Sequence, residues 1–95
     1  MTSHHLVLCY DVVDDRARRR LHRALKGFLR PVQKSVFEGP LPGRRLPALE
    51  FAVRRHMNPE EDTVRIYRLC VACRAQTALL GLSPRVEGPP LCRVI

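Results

Sequence analysis

An unbroken apolar run, Leu6 to Cys9, leads through Tyr10 to a carboxylate at Asp11. A run without polar alternation marks a strand covered on both faces, so residues 5–13 are expected as a strand. The period then changes at once. Between 15 and 29 the apolar residues fall at Ala17, Leu21, Ala24, Leu25, Phe28 and Leu29, in steps of three and four. That is the stripe of an amphipathic helix, with Asp14 or Asp15 placed to cap it. Pro31 ends it, because the residue before a proline is disfavoured in helical backbone. A strand that passes directly into a helix must find its hydrogen-bonded neighbours elsewhere in the chain, and this restricts the fold to mixed α and β architectures.

The neighbours are found downstream. Residues 32–38, VQKSVFE, read as a second strand, and the breaker-rich GPLPG of 39–43 as a turn. A second helix is expected over 45–57, with Leu46, Leu49, Ala52, Val53 and Met57 as its apolar face and Pro47 in its first turn, where a missing N–H is tolerated. Residues 62–70, DTVRIYRLC, are rich in β-branched and aromatic types and read as a third strand. Residues 71–76 make a turn or one helical turn, TALLGL (77–82) a fourth strand, SPRVEGPP (83–90) a connector, and LCRVI (91–95) a last strand. The opening β-α-β, followed by a second helix and further strands, fits an α+β, ferredoxin-like β-α-β-β-α-β sandwich over 1–82, with 83–95 as connector and C-terminal strand for subunit contacts. Both helices then lie on one face of the sheet. Apolar side chains fall on both faces of the inner strands (Val32, Val36, Phe37; Val64, Ile66, Tyr67, Leu69). A second face of that kind is expected to pack on another copy of the chain.

Charge narrows the class of partner. Ninety-five residues make one domain, and the net charge is +8 with a pI near 10.4. Fifteen of the 17 basic residues are arginine, the exceptions being Lys26 and Lys34. Arginine pairs with phosphate in a forked geometry, so polyanions, chiefly nucleic acid, are the expected ligands. No segment is long and apolar enough for a bilayer span, and the N-terminus lacks the features of a secretory signal. The expected location is the cytoplasm, with Cys9, Cys70, Cys73 and Cys92 reduced. Cys70-x-x-Cys73 is half of a zinc motif without a second half at ligand spacing, and buried packing is the expected role of its thiols.

Four segments together carry a family resemblance: YDVVDDRARRRLHRAL, VQKSVFEG, PEEDTVRIYRLC and the closing PPLCRVI. From about Leu6 to Ile95 the chain resembles the small CRISPR-associated adaptation protein, the partner of that system's integrase. The resemblance implies a ferredoxin-like homodimer that bridges integrase dimers and holds DNA during spacer acquisition. It also implies a magnesium-dependent (or other divalent-cation-dependent) endonuclease acting on single-stranded RNA or on DNA. The family's metal aspartate matches Asp11, its preceding tyrosine Tyr10, its helix-1 arginine pair Arg18 and Arg20, and its strand phenylalanine Phe37. One departure is plain: many members carry an arginine directly before the apolar-Gln pair, where this chain has Pro31.

On the residues themselves two readings of Asp11 stay open. It either accepts backbone N–H groups or an arginine at the strand's end, or it holds a cation, for which one carboxylate per chain needs a second from a facing copy. Asp14 and Asp15 fit helix capping. Arg16, Arg18, Arg19, Arg20 and Arg23 crowd one helix with few acids nearby and are expected to contact phosphates. Tyr10, Phe37, Leu91, Val94 and Ile95 are the expected subunit or partner contacts. The alternative function is a ferredoxin-like RNA-binding module without catalysis.

Overall fold

The computed structural model describes residues 3–80 and 93–94. The chain opens with β1 (Ser3–Asp11), then α1 (Asp15–Leu25), β2 (Arg30–Gln33), β3 (Val36–Pro42), α2 (Leu46–His56), β4 (Thr63–Leu69), α3 (Val71–Ala75), β5 (Ala78–Leu79) and β6 (Arg93–Val94). The main sheet has the order β2-β3-β1-β4 with every neighbouring pair antiparallel. Two β-α-β units are thus interleaved, the ferredoxin-like arrangement expected from the sequence.

Its strands arise differently from the expectation. The segment read as one strand over 32–38 is a hairpin that turns at Lys34-Ser35, and GPLP belongs to β3 rather than to a turn. The prolines are tolerated for a local reason. Pro31 lies on edge strand β2, and β2 pairs β3 only from Val36 to Glu38, so among the described residues Pro40 and Pro42 have a strand on one side alone. Gly39 takes φ +155, which L side chains rarely adopt, and packs under Leu29 opposite Leu6. Of the expected fourth strand over 77–82, the described Ala78 and Leu79 do not join the main sheet. Ala78 and Leu79 pair in parallel with Arg93 and Val94 as a separate two-stranded ladder.

α1 starts where Asp14 accepts the Ala17 N–H at 2.8 Å. It stops at Leu25 instead of Leu29, because Gly27 weakens continued helix by about 1 kcal/mol and Arg30 is taken into β2. Leu29 still reaches the core from the turn. Successive residues of β1 separate cleanly. Leu6, Leu8 and Tyr10 face the helices with Val12 just beyond the strand, and they close a single core with Phe37, Leu41, Leu21, Leu25, Leu49 and Val53. Each such side chain contributes roughly 1.5–3 kcal/mol by leaving water. His5, Val7, Cys9 and Asp11 point to the face turned away from α1 and α2, opposite Pro40, Glu38 and Val36 on one side and Leu69, Tyr67, Arg65 and Thr63 on the other.

Candidate metal site and nucleic-acid interface

Asp11 is the last residue of β1 and is exposed on the side of the sheet turned away from α1 and α2. The chain beyond it is held from both directions. Asp62, buried at 6 % exposure, accepts the Val13 N–H through Oδ1 at 2.9 Å and the Asn58 N–H through Oδ2 at 2.8 Å. Arg18 donates from Nη1 to the Val12 carbonyl at 3.0 Å. The turn after Asp11 is therefore tied to the start of β4 and to the first turns of α1, a stiff mount for one carboxylate. Asp62 carries this mount although the sequence pattern assigns it no role. Its importance depends on β1 lying beside β4, a pairing that no local pattern announces. Among the described residues no three His, Cys, Asp or Glu side chains converge as metal ligands. Asp11 alone is one carboxylate, which suits magnesium only if further oxygens come from elsewhere.

The arginines of α1 divide into two kinds. Arg16, Arg19, Arg20 and Arg23 are exposed and line a shallow groove along the helix's outer surface. Arg18 is half-buried. Besides the Val12 carbonyl it donates from Nη2 to Asp15 Oδ1, so each terminal nitrogen makes one bond within the chain. It thus takes part in the Asp11 mount as well as lying on the arginine-rich helix. Arg19 pairs with the other Asp15 oxygen at 2.9 Å, an exposed contact that competes weakly with a phosphate.

Two expected partner contacts are corrected. Tyr10 is 6 % exposed and Phe37 fully buried, both on the helix side of the sheet. Their alternation with Asp11 and Val36 fixes this: a residue next to an open-face residue in a strand points the other way. Tyr10 donates its hydroxyl to the Lys34 carbonyl at 3.2 Å and lies 3.3 Å from His22 Nδ1. Burial raises its phenol pKa, opposed by the nearby Arg18 charge. His22 also stacks edge-on to Phe37 at 5.0 Å, which makes it a packing residue. Val94 pairs with Leu79 of its own chain, while Leu91 and Ile95 lie outside the described residues. The thiols of Cys70 and Cys73, expected to be buried, are exposed. Among the described residues no helix is long and apolar enough to cross a membrane.

Known proteins share the family pattern and the fold. Residues 4–77 match the family model for CRISPR associated protein Cas2. The chain is 41 % identical over 91 residues to a CRISPR-associated endoribonuclease Cas2 of Thermus thermophilus, covering 94 % of this chain and 97 % of the relative. Among solved structures, a hypothetical protein from Thermus thermophilus superposes with a TM-score of 0.78 at 34 % identity, over 87 % of this chain and 96 % of that one. A chain of a partial Cas6-RT-Cas1–Cas2 complex superposes with a TM-score of 0.68 at 31 % identity, over 78 % of this chain and 87 % of its own. A full β-α-β-β-α-β core, an exposed aspartate ending β1 and matches of this extent lead to one conclusion: the chain belongs to the Cas2 family of CRISPR-associated proteins.

Proposed function

We propose that this chain is the small subunit of CRISPR spacer acquisition, a homodimer that binds nucleic acid, bridges integrase dimers and hydrolyses phosphodiester bonds with magnesium. Family membership supports the adaptation role. The relatives named endoribonuclease support the activity, and the Cas1–Cas2 complex among similar structures supports an integrase partner. The observation that carries the catalytic part is the place of Asp11, exposed at the end of β1 on the face turned away from α1 and α2.

Two copies meeting through these faces bring two Asp11 carboxylates to one seam. Two carboxylates with water and substrate phosphate form the small oxygen set that magnesium accepts. The ion, when bound, supplies a more acidic water and a polarised phosphoryl oxygen. The chain's own part is positional. Asp62 and Arg18 hold the turn after Asp11 still. The exposed α1 arginines draw the phosphate backbone to the subunit without reading bases.

The test is Asp11→Asn in the purified dimer, assayed on single-stranded RNA and on duplex DNA with magnesium. Cleavage is expected to fall at least about 100-fold, consistent with loss of several kcal/mol of metal-assisted stabilisation, while nucleic-acid affinity stays within about twofold. Cleavage unchanged by this substitution would remove Asp11 from the chemistry. A wild-type protein that binds but never cleaves would leave the binding module alone.

A further inference from the structure

Immediately after β4 the chain places two cysteines on one helical turn. Cys70 is the N-cap of α3, in extended backbone, and its Sγ accepts the Cys73 N–H at 3.3 Å. Cys73 is the third residue of the helix, on the same side of the turn, and both thiols are exposed. Cysteines kept for packing are buried, so this pair has no packing role to account for it. The two sulfurs are also inequivalent. The Cys70 thiol is shifted down, first by the Cys73 backbone N–H and then by hydrogen bonding with the Cys73 thiol. The Cys73 thiol is shifted up by its hydrogen bond to Cys70 and by the neighbouring Cys70 charge. A thiol favoured as thiolate beside one that keeps its proton is the division of labour of a disulfide-exchanging pair.

We propose that Cys70 and Cys73 form a reversible dithiol–disulfide site whose oxidant is a small disulfide of the glutathione type. The Cys70 thiolate attacks one sulfur of the oxidised glutathione, breaks its S–S bond and releases one glutathione thiolate. Cys73 then gives up its proton and its sulfur attacks Cys70. The second glutathione leaves as thiolate, and the proton goes to it through solvent. Two cysteine thiols are oxidised to one disulfide, and one glutathione disulfide is reduced to two thiols. Closing the bond fixes the first turn of α3, the joint through which β4 continues to β5 and its partner strand β6. The site is independent of Asp11 and of the α1 arginines.

The full-length reduced protein, equilibrated in glutathione redox buffers, trapped by alkylation and mapped by peptide mass, tests the proposal. The expected product has one intrachain Cys70–Cys73 bond with Cys9 still alkylated. Cys73→Ser should stall with glutathione held on Cys70. Cys70→Ser should acquire glutathione on Cys73 more slowly at neutral pH than Cys73→Ser acquires it on Cys70, because only the Cys70 sulfur keeps the residue-73 backbone N–H as a donor. Equal rates for the two variants, oxidation that joins either thiol to Cys9, Cys92 or another chain, or a pair still reduced in excess glutathione disulfide would overturn it. All positions changed are exposed, and unchanged melting of both variants confirms that the readout is chemical.

Discussion

The two sides of β1 differ in chemistry. Toward the helices the strand shows Leu6, Leu8 and Tyr10, none more than 6 % exposed, against Phe37 and Leu41. Toward the other side it shows His5, Val7, Cys9 and Asp11, against Glu38, Arg65 and Tyr67. His5 and Glu38 lie 3.8 Å apart, and Tyr67 stays 48 % exposed. One face is hydrocarbon that closes on its own helices. The other mixes charge, ring and thiol, and ends in an open carboxylate. The fold is built on the first, and the proposed chemistry on the second.

The largest effect that sharpens this contrast is on stability. Phe37→Ala should cost about 3–5 kcal/mol, whereas Val7→Ala, half-buried on the other face, should cost about 1 kcal/mol or less in a monomeric chain. Comparable losses from urea denaturation would erase the distinction. Next comes Asp62→Ala, which leaves the Val13 and Asn58 N–H groups without their carboxylate. About 2–3 kcal/mol should be lost, and cleavage should weaken with it because the Asp11 mount loosens. Full activity in the folded variant would detach the mount from the chemistry.

A smaller effect separates the arginines. Replacing both Arg20 and Arg23 with Glu should flatten the salt dependence of nucleic-acid binding by about one unit of log–log slope for each phosphate no longer held. Arg18→Ala should leave that slope nearly alone and lower the melting temperature, since Arg18 serves Val12 and Asp15. The reverse pattern would reassign Arg18 to the phosphate surface. The smallest effect is titration of Tyr10. Its folded pKa is raised above the ordinary 10.0, so the buried neutral phenol stabilises the fold fully below that value, and this is lost as pH rises through the folded one. Tyr10→Phe should cost about 1 kcal/mol near neutrality, and this deficit should shrink in strongly alkaline buffer. Parallel melting curves across the alkaline range would contradict the burial of the hydroxyl.

Local patterns make much of the fold legible in the sequence. β1, α1, α2 and β4 each have their own period, and their order leads to the ferredoxin-like class. The hairpin is hidden because Lys34-Ser35 is a weak turn signal beside the proline- and glycine-rich GPLPG. Those prolines fit a strand only because one side of β3 has no described neighbour there. The alternation of Tyr10 with Asp11 already places them on opposite faces, and weighing it keeps Tyr10 out of the subunit contact. The role of Asp62 and the exposure of Cys70 and Cys73 have no local signal, since the first depends on the β1–β4 pairing and the second on where α3 leaves the sheet.

In the proposed function Asp11 is one half of a metal site shared by two copies across the face turned away from α1 and α2. Titration of manganese, as a magnesium substitute, into the purified protein tests this most directly. One ion for every two chains, lost on Asp11→Asn with the dimer intact, is the expected result. One ion per chain, or binding that survives Asp11→Asn, would contradict it.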